Sequence, residues 1–232
     1  MPADQAQTLS EIALLRALSK DALSAVEKRC SWRTYSAQEQ IIDRQSPARD
    51  VYFIVTGKVR VVNFSLSGRE VAFDEIPAGA YFGETAAIDG EPRSATVVAL
   101  EDTTVAIMSP DTFHNLLIEH PEVALSLMVR MATIIRTSNE RIMDLSTLGA
   151  NNRVYAEILR LAKDEVEDDN TARIRPIPIH GDIASRVSTT RETVARVLND
   201  LARKGLVKRE KDALHILDIA HLSEMVEQFQ ME

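Results

Sequence analysis

Short apolar runs alternate with turn signals over the residues from about Trp32 to Met108. Each run is rich in β-branched and aromatic residues, which are favoured in strands; the runs are VYFIV, KVRVV, REVAF, SATVVAL and TTVAIM. The turn signals between them are Gly57, Ser67-Gly68, Pro77-Ala78-Gly79 and Asp89-Gly90. Many short strands at this spacing are typical of an antiparallel sandwich or roll. This stretch is therefore predicted to fold as an antiparallel, jelly-roll-like β-roll.

Helical spacing of apolar positions appears on both sides of the predicted roll. Residues 9–29 indicate short amphipathic helices. After the roll, Ser109-Pro110-Asp111 supplies an N-cap, a proline at the first helical position and an acid in the first turn. Pro121 then begins a longer helix, which we expect to run to about Leu148.

The apolar positions of this longer helix follow a heptad pattern. One core position holds Met128, Ile135 and Ile142, and the other holds Met131, Ser138 and Leu145. A narrow stripe sustained over three repeats is typical of a coiled coil, so the helix is predicted to join two copies of the chain. The alternative is an ordinary surface helix that packs on its own domain.

The C-terminal third reads as a compact domain of helices and a small hairpin. Gly149-Ala-Asn-Asn is predicted to be a hinge, and it is followed by a helix over 152–163, an acidic loop over 164–169 and the strand ARIRPIPI. A helical segment over 180–204 precedes the segments KGLVKRE and ALHILDI, which pattern as a β-hairpin, and LSEMVEQF closes the chain as a helix. The fold class is α+β, with domains predicted at 1–120 (β-roll with flanking helices), 121–148 (dimerisation helix) and 149–232 (winged helix-turn-helix).

The amino-acid composition argues against a membrane protein, a secreted protein and a protein with a four-cysteine metal site. The 232 residues are 45% hydrophobic, yet no apolar run reaches the roughly 18 residues that span a bilayer, and the N-terminus lacks the features of a secretory signal. The single Cys30 excludes a disulfide framework within one chain and a four-cysteine metal or iron–sulfur site. A cytoplasmic protein without membrane contact is expected.

The charge is distributed unevenly along the chain. The net charge of −8 argues by itself against a nucleic-acid partner. The segment from Arg186 to Arg209, however, contains seven basic residues and two acidic ones, a local balance of +5. A basic element on an acidic body is a candidate nucleic-acid-binding surface. A solvated helix face is the alternative reading of the same charges.

Residues 83–96, with the sequence GETAAIDGEPRSAT, contain the side chains suited to a phosphate. Gly83 stands at the start of a short helical turn, where backbone amides favour an anion and a missing side chain permits close approach. Arg93 offers a fork of donors matched to phosphate oxygens, and Ser94 adds a hydroxyl. Glu84 is an acceptor suited to a ribose hydroxyl. The alternative is a buried Glu84–Arg93 ion pair that braces a turn and binds nothing.

From about Trp32 to Ile107 the sequence resembles the cyclic-nucleotide-binding domain of the catabolite-activator (CRP/FNR) family. The resemblance rests on the YFIVTGKVRVV hairpin, the YFGE turn and the RSAT strand. It implies that Arg93 and Ser94 hold a cyclic phosphate, that Glu84 holds the ribose 2′-hydroxyl and that Gly83 contributes backbone. Thr85 and Ala95, within the same phosphate cassette, are included among the expected ligand-binding residues.

Two departures leave the choice between cAMP and cGMP open. The family's dimer helix presents two hydroxyl residues to the base, whereas this chain has Ser138-Asn139, and an amide can bind either purine. Ser138 could instead fix the register of a coiled coil. Ile134 stands where the family's best-known members place an arginine near the ribose-binding glutamate. We expect cAMP to be favoured.

Residues 180–204 fit a helix-turn-helix whose second helix reads DNA. The spacing of Thr189 and Glu192 predicts a capping box at the start of that helix. The string TRETVARVL closely resembles the family's recognition helix. The resemblance implies that Arg191, Glu192 and Arg196 read bases of a TGTGA-like half-site. Thr190 and Thr193 are expected at phosphates, and Thr189 completes the predicted DNA-binding set.

The resulting expectation is a bacterial transcription regulator that binds a palindromic operator as a homodimer. Cyclic nucleotide would be its allosteric ligand, double-stranded DNA its target and RNA polymerase a further partner. No metal, haem or iron–sulfur cluster is expected, because cysteines are too few, residues 80–96 hold no His or Cys, and the five histidines lack metal-ligand spacing. No catalytic motif points to an enzyme. A same-fold regulator that answers another effector, or binds DNA constitutively, is the alternative.

Overall fold

The computed structural model describes residues 8–64, 70–163, 165–167 and 170–227. The predicted turn at Ser67-Gly68 and three acids of the 164–169 loop lie outside the described residues. The chain divides into two compact units between Thr133 and Ile134. Within the described residues no helix is long and apolar enough to cross a membrane.

The first unit contains the predicted β-roll. Its elements are a 3₁₀ turn (Ala13–Leu15), α1 (Lys20–Glu27), β1 (Ser31–Tyr35), β2 (Gln40–Ile42), β3 (Val51–Thr56), β4 (Lys58–Phe64), β5 (Glu70–Pro77), β6 (Tyr81–Phe82), α2 (Glu84–Asp89), β7 (Thr96–Ala99), β8 (Thr103–Met108), α3 (Pro110–Glu119) and α4 (Pro121–Thr147), which continues into the second unit. All five predicted runs form strands, and the short strands β1, β2 and β6 are additional. The α+β fold class is confirmed.

Two four-stranded antiparallel sheets form the roll, in the orders β1-β8-β3-β6 and β2-β7-β4-β5. One apolar cluster draws side chains from both sheets, among them Ile54 of β3 and Val59 of β4. A second cluster joins the first sheet to the helices, with Phe53 and Phe113 fully buried. The sheet that carries β6, and with it the start of α2, is thus packed on both faces.

The second unit holds the remaining elements: the end of α4, α5 (Ala150–Ala162), β9 (Val166–Glu167), β10 (Thr171–Ile174), α6 (His180–Arg186), α7 (Arg191–Arg203), β11 (Val207–Arg209), β12 (Leu214–Ile216) and α8 (Ile219–Glu227). The predicted hairpin is confirmed, since β11 and β12 pair antiparallel. Val194, Val197 and Leu201 form the buried stripe of α7 and pack in the same cluster as Ile158 and Ile183. This stripe fixes which face of α7 is left to solvent.

The long helix α4 has two different apolar faces. Val123 and Leu127 are buried in the core of the first unit, and Met131 packs against that core. Four other heptad positions leave about half of their residue surface exposed: Met128, Ile135, Ile142 and Leu145. The predicted coiled-coil seam is therefore divided. Met131 packs against the core of the helix's own domain, whereas the other four side chains face outward.

Candidate functional site

The turn before α2 positions the glycine and the glutamate of the phosphate cassette. Gly83 caps α2 with φ +86, a left-handed conformation that favours glycine. A Cβ atom there would lie 2.8 Å from Nη1 of Arg93 and 2.8 Å from the carbonyl oxygen of Asp50. Glycine is required at this position by the backbone and by the close approach of Arg93.

Arg93 is almost fully buried at 4% exposure, and it braces the cassette. Its Nη1 donates to the carbonyl oxygen of Gly83 at 2.9 Å, and its Nη2 donates to that of Asp50 at 2.7 Å. The guanidinium carbon lies 5.7 Å from the ring centre of Tyr52, which itself stacks on Phe82. Burial lowers the pKa of Arg93, and the neighbouring acidic groups oppose that shift.

Glu84 is a buried carboxylate, with 8% of the residue exposed. Burial raises its pKa, and its own backbone amide, Arg130 and Arg93 act in the opposite direction. Among the described contacts Glu84 and Arg93 form no ion pair, so the simple bracing pair considered from sequence does not form. The charges of Arg130 and Arg93 therefore lower the pKa of the buried carboxylate, although neither guanidinium forms an ion pair with it among the described contacts.

Arg130, on α4, is the residue that the sequence reasoning missed. Its guanidinium carbon lies 5.1 Å from the ring centre of Tyr81, a cation–π contact, and its charge lowers the pKa of Glu84. Burial raises the pKa of Tyr81 to about 12. Arg130 precedes Ile134 by four residues and so lies on the same face of the helix. This spacing was the signal that could have found it.

Three buried polar atoms around the cassette have no hydrogen-bond partner among the described residues. They are Nε of Arg93, Nε of Arg130 and the hydroxyl of Tyr81. Buried donors are almost always paired, so each orphaned atom requires an explanation. Here they lie on side chains next to Gly83 or Glu84, and all three can donate to an anion or to a ligand hydroxyl.

The other predicted ligand residues occupy more open positions. Thr85 is exposed on α2, Ser94 is exposed beside Arg93, and Ala95 is half-buried. Ser138 and Asn139 are exposed on the part of α4 that belongs to the second unit. Their roles stay predictions. Within the described residues no group of acidic, histidine or cysteine side chains could hold a metal ion.

The start of α7 differs from the predicted capping box. Its N-cap is Thr190, not Thr189, and the Thr190 hydroxyl accepts from the amide of Thr193 at 3.2 Å. Ser188 has φ +52, and the amide of Thr189 donates to the carbonyl of Ala184, so Thr189 belongs to the preceding turn. The capping-box prediction was wrong by one residue.

The predicted base-reading side chains share the outer face of α7. Arg191, Glu192 and Arg196 are exposed, while Thr193 is half-buried. The pKa of Glu192 is lowered by its own backbone amide and by the Thr190 hydroxyl, so its ionised, accepting form is favoured. Two arginines flanking an ionised acceptor can contact guanine and cytosine edges.

The two units match two known domain models. A cyclic nucleotide-binding domain matches residues 32–120, and a Crp-like helix-turn-helix domain matches residues 152–225. The cyclic AMP receptor protein of Thermus thermophilus is 30% identical over 193 residues, which are 83% of this chain and 87% of that protein. The cAMP-activated global transcriptional regulator CRP of Escherichia coli is 27% identical over 179 residues, covering 77% of this chain and 85% of that protein.

A solved structure supports the fold over nearly the whole chain. A mutant of CooA from Carboxydothermus hydrogenoformans superposes with a TM-score of 0.80 at 21% identity, covering 96% of this chain and 97% of its own. The domain models and the relatives define a transcription regulator with a cyclic-nucleotide-binding domain and a helix-turn-helix domain. The chain belongs to the catabolite-activator (CRP/FNR) family, as its cassette and recognition helix predicted.

Proposed function

We propose that the protein is a homodimeric transcription regulator whose binding to a palindromic, TGTGA-like operator is controlled by a cyclic nucleotide, with cAMP favoured. The observation that carries the proposal is the group of orphaned donors on Arg93, Arg130 and Tyr81 around the buried Glu84. A cyclic nucleotide offers a phosphate to the guanidinium groups and a ribose hydroxyl to the carboxylate. It would therefore satisfy donors and acceptor together.

Arg130 takes a specific place in this proposal. The family's best-known members have an arginine where this chain has Ile134, and Arg130 approaches Glu84 from one helical turn earlier. With Arg93 it supplies a second positive charge to the same ligand. Because Arg130 rests on the face of Tyr81, its guanidinium is already oriented before the ligand binds.

The preference for cAMP is supported by the relatives, which are named as cAMP-responsive proteins. On α4, Ser138 and Asn139 are proposed to contact the base. Nucleotide binding would then shift the population toward the DNA-competent state, and by linkage the operator must tighten nucleotide binding by the same factor.

The test is a calorimetric titration of cAMP and cGMP against the purified protein, with and without a palindromic operator. Arg93→Ala and Arg130→Met are each expected to weaken cAMP binding by about tenfold or more, since a hydrogen bond to a charged group is worth about 1.5–3 kcal/mol. Arg16→Ala, at an exposed arginine of the first unit, is the control and should bind as the wild type does.

Because Arg93 also braces two carbonyl groups, each variant's unfolding is measured in parallel, and Arg130→Met, which removes no hydrogen bond to a backbone carbonyl among the described contacts, keeps the test valid if Arg93→Ala fails to fold. Operator binding that is unchanged by either nucleotide would contradict the proposal. That result would instead support a regulator with another effector or with constitutive DNA binding.

A further inference from the structure

Four charged side chains form a continuous chain across three helices of the second unit. Asp144 of α4 pairs with Arg160 of α5 at 2.7 Å, and Arg160 pairs with Glu157 of the same helix at 2.5 Å. Glu157 in turn pairs with Arg186 of α6 at 3.3 Å. The chain therefore runs from the end of the long helix to the first helix of the DNA-reading pair.

Within this series of ion pairs, each carboxylate oxygen of Glu157 and each terminal nitrogen of Arg160 contacts a different partner. Glu157 is 1% exposed, and its two carboxylate oxygens are divided between Arg160 and Arg186. The two terminal nitrogens of Arg160 are likewise divided between Glu157 and Asp144. Removing one member of a buried ion pair leaves an uncompensated charge, which is strongly unfavourable. A shift of α4 relative to α6 would have to break one of these contacts.

A second link runs beside the first. Nη1 of Arg153 donates to the carbonyl oxygen of Leu148, immediately after α4, at 2.8 Å. Its Nε donates to the carbonyl of Val187 at 2.9 Å and its Nη2 to that of Ser188 at 3.3 Å, both in the turn before α7. One arginine of α5 thus joins the end of α4 to the turn that sets the start of the recognition helix.

We infer that Asp144, Arg160 and Glu157 are positioning residues, which make the last turn of α4 and the helix pair α6–α7 move as one body. The inference rests on the proposed function, because it names the route by which a nucleotide-induced change in α4 reaches the recognition helix. Glu157 is the fixed centre of the route. Asp144 is its only member on α4 and lies closer to the surface, with 16% of its side chain exposed.

Asp144→Asn is the informative change, because it removes the charge that joins α4 to Arg160 and leaves Glu157 with both of its arginines. We expect cAMP affinity without DNA to stay within about twofold of wild type, while the tightening of operator binding by saturating cAMP falls by about threefold or more. Asp144→Glu should restore most of the tightening. Asp212→Asn, at an exposed aspartate paired with Arg175, is the matched control.

Amide hydrogen exchange gives a readout that does not depend on the nucleotide. In Asp144→Asn the amides of α6 should exchange faster than in wild type and in Asp212→Asn, because one of the two links between α4 and α6 is lost and only the Arg153 link remains. Unchanged exchange in α6 overturns the inference, as does a wild-type ratio of operator affinities with and without cAMP. If operator binding by the wild-type protein does not change with cAMP, the proposed function is wrong instead. The exchange data alone then decide the inference.

Discussion

Glu84 shows how a single residue can be unfavourable for the fold and useful for the site. A carboxylate that is buried loses hydration, and this raises its pKa, while Arg130 and Arg93 recover only part of the loss. An apolar or amide side chain of the same size would avoid this cost. A ribose hydroxyl that donates to the carboxylate would reduce the cost of burying it. A glutamate at this position is therefore favourable when the ligand is bound.

Glu84→Gln is therefore expected to change stability and binding in opposite directions. The raised pKa means that the folded protein holds the Glu84 proton to a higher pH than the unfolded chain does. Stability contributed by this group is present below its ordinary pKa of 4.5 and is lost as pH rises through the raised value. The variant lacks this loss, so its free energy of unfolding should exceed that of wild type increasingly as pH rises through this window.

The same variant should bind cAMP about tenfold or more weakly, since it replaces a charged acceptor with a neutral one. Urea unfolding at several pH values and calorimetry at neutral pH measure the two effects. Glu11→Gln, at an exposed carboxylate, should change neither. Parallel pH profiles for Glu84→Gln and wild type would show that burial of this carboxylate has no such consequence.

Residue-scale prediction was possible where the chemistry is local in sequence. Gly83, Glu84 and Arg93 could be proposed because the cassette is a short segment whose spacing is a motif, and the structure brings the three residues together. Arg130 could not be assigned in this way, since its partner Tyr81 lies 49 residues earlier and only the packing of α4 on the roll brings the two together. The braces at Asp50 and Leu148 use backbone carbonyls, for which the sequence gives no signal.

At the scale of elements, periodicity predicted the strands and long helices well, but it missed local turn geometry. Two adjacent threonines compete to cap α7, and Thr189 has the better spacing to Glu192. Ser188 in a left-handed conformation tightens the turn, which leaves Thr190 in the extended conformation that an N-cap needs. The conformation of the turn, and not the sequence spacing to Glu192, therefore determines which threonine caps α7.

The recognition helix α7 gives a prediction about specificity. Arg191→Ala should lower affinity for the preferred operator and reduce its discrimination against operators with one changed base pair by about 1–3 kcal/mol, because the bidentate base contact proposed for Arg191 would be lost. Thr193→Ala should weaken all operators alike, as a phosphate contact does. Fluorescence anisotropy with a set of operator variants measures both effects.

Arg203→Ala is the control for this prediction. Arg203 lies at the other end of α7, is largely exposed and pairs with Asp200, so its loss should leave discrimination unchanged. If Arg191→Ala weakens every operator variant by the same factor, Arg191 contributes charge and does not read a base.

At the scale of the whole molecule, an acidic chain carries a basic segment at 186–209, and two exposed features point to a symmetric assembly. The recognition helix presents Arg191 and Arg196 to solvent, and α4 presents its apolar seam. A regulator that reads two half-sites about one helical turn of DNA apart needs two copies of α7 held at a fixed spacing. A seam on a helix that is continuous with the second unit can hold them.

The seam gives the last prediction. Ile135 and Ile142 leave 58% and 59% of their surface exposed, so aspartate at both positions should not disturb the core of either unit. Facing each other across a coiled coil, the introduced charges would repel and lose hydration, and the protein should sediment as a monomer. Loss of the second half-site contact then predicts operator affinity lower by about 100-fold or more.

Arg136→Asp adds negative charge off the seam and should remain dimeric. A double variant that stays dimeric would place the interface elsewhere and return α4 to the role of a surface helix.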